Sequence, residues 1–257
     1  MKKLDVIILM SWVVIPPVLL FVIHGNFFIS SILYLVLPSI YFSARKPEII
    51  IKSLIVSLVA MPLMIIFDYL AFLNKTWEVP TIFPLRFFQF IPIEDFFFTF
   101  CAVYVVIVAS NYFFPGLNLK MISRPTVRRS LFIVSVLFVI FIILYTFKLD
   151  ILIIHYYYAW LILFAFIIPS LILFIRFKSY RKPFFWITVY SICLMLPYEV
   201  TAGKLGFWTF PSGEYMGMVH VFGWGFPVEE FLAWMIFFPL STLAFGKWVV
   251  GGENEGT

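Results

Sequence analysis

Two copies of one short acidic pattern stand out in the chain, Pro92-Ile93-Glu94-Asp95 and Pro227-Val228-Glu229-Glu230. Each is preceded by a further acid, Asp68 or Glu199, and nine residues beyond that acid comes a tryptophan, Trp77 or Trp208. His24 and His155 lie upstream of the two sets. These residue types suit proton transfer. Two carboxyl groups in one dry place cannot both ionise cheaply, so one is kept protonated as an acid while the other stays available as a base. Aromatic faces stabilise a cation by about 0.5 to 2 kcal/mol each when desolvated, so rings beside such acids would favour a carbocation.

Each residue also has a plainer reading. Pro suits the first helical position, and a Glu two residues later favours the positive dipole end and can cap free N–H groups, which would account for Glu94 and Glu229. It does not account for Asp95 and Glu230. Adjacent helical positions point about 100° apart, so one cap cannot use both acids, and a second acid in a dry place needs its own reason. His24 and His155 are either boundary residues or tuning groups for the acids. Trp77 and Trp208 read as an interfacial aromatic belt or, from their matched spacing, as walls of a substrate site. His220 has no counterpart and reads as a loop residue.

The elements that must position these groups are membrane helices. Of 257 residues, 63% are hydrophobic and 12% charged, and the mean hydropathy is +1.07. No soluble interior has this composition. Apolar runs of about 18 residues or more can cross a bilayer core as helices. They predict spans at 4–23, 27–42, 50–73, 91–114, 130–147, 151–175, 184–203 and 225–245. The first run imitates a signal peptide, but no small-x-small cleavage site follows and it is kept as a span. Lys75, Arg86, Lys148 and Lys204 fall on one side, and the other fourteen of the 18 Lys and Arg on the opposite side. By the positive-inside rule both termini are expected in the cytoplasm, with the protein in the cell membrane. Topology thus explains the net charge of +5, and a nucleic-acid partner loses its support.

A shift of 131 residues lays His24 on His155, Pro38 on Pro169, Arg45 on Arg176, Asp68 on Glu199, Trp77 on Trp208 and Pro80 on Pro211. Four extra residues in the second copy then bring Glu94-Asp95 onto Glu229-Glu230. Matches among scarce residues such as three His and eight Trp carry weight. The expected fold is all-α: a polytopic membrane bundle of about eight helices in two parallel four-helix repeats, 1–126 and 127–257. Threaded onto the spans, the acids and histidines converge at one depth on the non-cytoplasmic side. Intramembrane acids are costly and mark functional sites by default.

Other chemistries lack their motifs. The chain has no Gly-rich nucleotide fingerprint, no HExxH, no Cys-x-x-Cys, no Asp-rich diphosphate pattern and no mid-span Lys for a Schiff base, so no cofactor is evident and no metal ligand set is expected. Cys101 and Cys193 lie within apolar runs and read as packing residues.

The duplicated Pro-x-Glu-(Glu/Asp) motif, within two four-span halves covering nearly the whole chain, resembles the membrane-integral lycopene cyclases, whose halves are separate subunits in some members and fused in others. The resemblance implies a non-redox isomerase that converts the linear ends of lycopene into β-ionone rings, giving β-carotene. Its motif acids correspond to Glu94, Asp95, Glu229 and Glu230. On this reading Glu94 and Glu229 lead in proton donation. Asp95 and Glu230, or Asp68 and Glu199, take the proton back, and His24 and His155 tune them. Partners would be the lipophilic carotenoid, membrane lipid and other carotenoid enzymes. Relatives acting as hydratases keep another end-group chemistry open, and duplicated halves with intramembrane acids also suit a proton-coupled transporter.

Overall fold

The computed structural model describes residues 3–80, 82–114 and 123–251, so Lys2 and Lys120, two of the cations used for orientation, lie outside it. It contains eight helices long and apolar enough to cross a membrane: α1 Leu4–Val22, α2 Phe27–Arg45, α3 Pro47–Leu73, α4 Ile93–Phe113, α5 Arg124–Phe147, α6 Tyr157–Arg176, α7 Lys178–Leu205 and α8 Val228–Val250. The architecture is an all-α polytopic bundle, as expected, with sheet among the described residues confined to two short hairpins, β1–β2 (Arg86–Phe87, Ile91–Pro92) and β3–β4 (Met218–Val221, Trp224–Pro227). Helices α4 and α8, which begin with the acid pairs, are the most enclosed of the eight, and α1 and α5 the least. Large apolar side chains such as Phe132, Val139 and Phe147 point outward from α5, as they must where the surroundings are hydrocarbon rather than water.

Several helix starts differ from the expected spans, among them those of α4, α5, α6 and α8. Before α6 the chain makes a 3-10 turn at Leu149–Leu152, and Tyr156 is left-handed at φ 53°, which a right-handed helix cannot include, so the helix begins at Tyr157 and His155 stays in the loop. Pro92 and Pro227 close hairpins instead of sitting inside helices. Each is extended, at φ −61° ψ 144° and φ −60° ψ 146°, and stands just before the first helical residue, one position earlier than the sequence predicts. Helix α5 starts at Arg124 rather than near 130 because the Ser123 hydroxyl accepts the Thr126 N–H at 3.4 Å. The repeat boundary at 126 therefore falls in its first turn.

The internal repeat is visible element by element. The segments Leu37–Arg45, Pro47–Ile49 and Ile50–Leu73 recur as Ile168–Arg176, Lys178–Tyr180 and Arg181–Leu205, their starts 131 positions on. A π-helical turn, Ile32–Val36, precedes Pro38, and another, Ile162–Ile167, precedes Pro169. Proline cannot donate to the carbonyl four residues back and its ring clashes there, so the widened turn moves that carbonyl aside. The same device, Phe231–Phe237 before Pro239, recurs in α8. Its counterpart α4 has Tyr104 at the matching position and runs as plain α-helix. At the acid-bearing end, Glu78 and Thr209 exchange both backbone hydrogen bonds at 3.0 Å. These residues are 131 apart, so each is the other's equivalent, and the pseudo-twofold axis passes between them.

Candidate active site

In each half the chain leaves the end of one helix (α3 or α7), crosses a loop carrying the matched tryptophan, turns through a hairpin and enters the next helix (α4 or α8) through Pro-x-acid-acid. The two acids of each pair are thereby sent to different surroundings. Glu94 Oε1 accepts the backbone N–H groups of Ile82 and, at 2.8 Å, Phe83. Glu229 Oε1 accepts the N–H of Met216 at 2.6 Å. Both are fully enclosed, at 1% and 0% exposure, and both tie the preceding loop down onto the start of their helix. The capping reading holds for them in this altered form: they cap the loop rather than their own helix.

Asp95 and Glu230, one residue on, face inward. With Asp68 and Glu199 they line one small chamber of about 60 Å³, so both halves contribute two acids to a single space. Glu94 and Glu229 are not among its walls. The remaining lining is aromatic and apolar, chiefly Trp77, Phe98, Tyr198, Trp208 and Trp234, and none of it is Lys, Arg or His. Rings are packed on one another throughout: Phe98 stacks on Tyr198 at 6.0 Å and 10°, Trp208 meets Tyr198 at 5.5 Å, and Trp234 meets Phe98 at 5.8 Å.

The second half's acids are held by donors. Trp208 Nε1–H and Trp224 Nε1–H both donate to Glu199 Oε1, at 3.1 and 3.2 Å. Tyr158 donates its hydroxyl to Glu230 Oε2. Trp224 reaches Glu199 because Gly203, one helical turn further along α7, has no side chain: a Cβ there would lie 1.9 Å from the indole. The first half's acids have no such donors among the described residues. Asp68 and Asp95 instead border a second cavity of about 290 Å³ on the loop side, walled by Arg86, Trp77 and Thr209 and reaching the exposed Glu78 and Pro80.

Trp208 is therefore more than a belt residue, and Trp77 packs its ring on Tyr158 at 5.1 Å. The histidines do not join the chamber. His24 is exposed at the turn before α2, and His155 lies on the surface at 85% exposure, its Nδ1 2.8 Å from Glu214 Oε1. The Tyr156 backbone N–H and the His155 ring hold the Glu214 carboxyl below the usual carboxylate range. Next to it, Tyr215 donates to the Thr76 carbonyl at 2.7 Å, and burial pushes its phenol up to about 12, so it remains neutral as a strut between the halves. Cys101 is buried, but Cys193 is exposed on the outer face of α7 and is not a packing residue.

Sequence reasoning missed Tyr158, Tyr198, Trp224 and Trp234. Their counterparts under the repeat are Phe27, Phe67, Gln89 and Thr99, so a search for matched residues passes over them. It missed a buried acid as well: Asp5, 1% exposed in α1, accepts the Tyr41 hydroxyl at 2.8 Å and lies 3.7 Å from Arg45, remote from the chamber at the opposite end of the bundle. No protein-family model, curated protein or solved structure matches this chain. Function is accordingly read from the chamber.

Proposed function

We propose that the protein is a lycopene β-cyclase of the cell membrane, with both termini cytoplasmic, and that the four-acid chamber is its reaction site. The observation that carries this is the lining itself: four carboxyl groups and a wall of rings, with no basic side chain among them. Such a site can add a proton to a hydrocarbon and remove one, and its rings favour a cation in between. An anionic substrate would meet only repulsion there.

The reaction is an isomerisation. A carboxylic acid protonates the terminal double bond of the acyclic end, its O–H bond breaking as a C–H bond forms. The tertiary cation is attacked by the neighbouring double bond in the chain, closing the six-membered ring and moving the charge into it. A carboxylate then removes an adjacent ring proton and the ring double bond forms, with no net change in atoms or electrons. The hydrogen bonds divide these labours. Donors to a carboxylate favour its charged form, so Glu199 and Glu230, held by Trp208, Trp224 and Tyr158, suit the base. Asp68 and Asp95, without such donors among the described residues and bordering the loop-side cavity, suit the acid and its reprotonation from water. Glu94 and Glu229 support the site by fixing the helix starts.

Expression in cells that accumulate lycopene, with pigments separated by chromatography, tests the reading. Conversion to cyclic carotenoid is expected. Unchanged lycopene despite good membrane expression refutes it, and a hydroxylated acyclic product identifies a hydratase instead.

A further inference from the structure

A further cavity holds none of the acids. It measures about 1100 Å³ and lies between α3, α5, α6 and α8, towards the end of the bundle opposite the hairpins. About 300 to 1,000 Å³ is usual for a small-molecule pocket, so this one has room for a large ligand. Along α6 it runs from Phe164 to Arg176, which at about 1.5 Å per residue is roughly 18 Å of depth. Its walls are mostly apolar, with small side chains at Ala60, Ala165 and Ala244 where a chain could lie against the helices. The π-helical turn Ile162–Ile167 lies on its wall, and the α-helical part of α8 after its π turn supplies the facing side. Its basic lining residues, Arg176 and Lys247, stand at the far mouth, where the Lys247 ammonium sits 3.4 Å from the centre of the Phe177 ring and 4.4 Å from that of Tyr180.

Three residues, Met64, Phe67 and Phe166, line both this cavity and the acid chamber. The two spaces thus adjoin across a wall of these three side chains. We infer that the large cavity is the binding site for the body of a linear polyene, which enters with one acyclic end leading and rests with that end among the carboxyl groups. The identity of the chamber as the reacting end rests on the cyclase reading; the cavity's occupant is argued from the wall it shares with the chamber, its length and its mostly apolar lining.

Full-length protein purified from lycopene-accumulating membranes tests this by pigment retained per protein, read by absorbance, alongside conversion in the same cells. Ala165→Trp and Ala244→Trp fill the cavity without touching an acid, while Phe132→Trp adds the same ring to the outer face of α5. Retained pigment should fall at least about tenfold in each cavity variant, the factor that about 1.4 kcal/mol of steric overlap gives, and stay within about twofold in Phe132→Trp. Pigment retained equally by all variants overturns the inference, whatever the conversion. So does loss in Lys247→Ala without loss in the Trp variants, which assigns the cavity to a phospholipid with its phosphate at the mouth. So does wild-type protein that carries no pigment. Displacement by the Trp variants in a protein that forms no cyclic product upholds the cavity site and refutes the cyclase reading alone.

Discussion

The two halves contribute the same groups to the chamber in different settings. Where the first half has Asp68 and Asp95, the second has Glu199 and Glu230, each one methylene longer. The second half's acids meet Trp208, Trp224 and Tyr158; the first half's meet a cavity that leads to the loops. The difference has a local cause. Gly203 admits Trp224 against α7, whereas its counterpart Phe72 fills that space and stacks on Phe90 at 4.4 Å. Donors hold the second half's pair, whereas the first half's pair borders a cavity that reaches exposed residues. That separation is what an acid and a base in one reaction require.

The largest effects should come from the inward acids. Removing a general acid or base costs about 100 to 10,000-fold in rate. Asp95→Asn and Glu230→Gln should each reduce cyclisation by that order, measured as cyclic carotenoid formed per protein in membranes. If the division of labour is right, Asp95→Glu should keep more activity than Glu230→Asp. The donor beside the open cavity tolerates an added methylene, whereas the shortened base loses the Tyr158 hydroxyl. Equal losses in the two swaps would break the comparison between halves.

Next in size are the donors to Glu199. Trp224→Phe keeps the ring and removes one hydrogen bond to a charged group, worth about 1.5 to 3 kcal/mol, and the rate should fall by about tenfold or more. Gly203→Ala should give a similar loss by pushing the indole away. At the equivalent place in the first half Gln89 is exposed, and Gln89→Ala should leave turnover within about twofold, the ordinary range for surface substitutions. A first half as sensitive as the second would show that both acid sets are held alike.

The bundle and its repeat were legible because both depend on coarse signals. Apolar length reports the spans, and scarce residues such as Trp77 and Trp208 report the duplication. The acids of the chamber were legible for the same reason, since a carboxyl group is too costly to keep in an apolar run without a task. Which acid faced inward was not. Glu94 and Asp95 differ by one helical position, and their fates depend on the loop N–H groups of Ile82 and Phe83, which no spacing rule reports. The exposure of His155 depends on the left-handed Tyr156, a conformation unusual for a tyrosine. Tyr158 and Trp224 were hidden because they break the repeat, and repeat matching favours what is shared.

The outward acids should affect stability more than chemistry. In Glu229→Ala the Met216 N–H loses its buried acceptor, and because Met216 itself is exposed the cost is that of one ordinary hydrogen bond, about 0.5 to 1.5 kcal/mol. The expected result is a lower melting temperature in detergent micelles. Glu229→Gln keeps an acceptor oxygen and should recover most of that loss together with most of the turnover. A Glu229→Gln protein that melts normally yet makes no product would return Glu229 to the chemistry and blur the distinction within each pair.

The smallest effect concerns a contact of the second half. Glu214 clasps the loop before α6 through the Tyr156 N–H at 3.0 Å and His155 at 2.8 Å, and these partners hold its carboxyl below the ordinary value. A depressed carboxylate pKa adds stability that is fully present above the unfolded value and is lost as pH falls through the folded one. The clasp should therefore protect the Tyr156 amide from hydrogen exchange at neutral pH and release it in acid. Glu214→Ala should lack this protection at every pH, because it has no acceptor for the Tyr156 N–H. The Glu214 side chain is 43% exposed, so screening keeps the effect small and local, and turnover should be unchanged. A Tyr156 amide equally protected in wild type and Glu214→Ala at neutral pH would mean that the left-handed turn holds by packing alone.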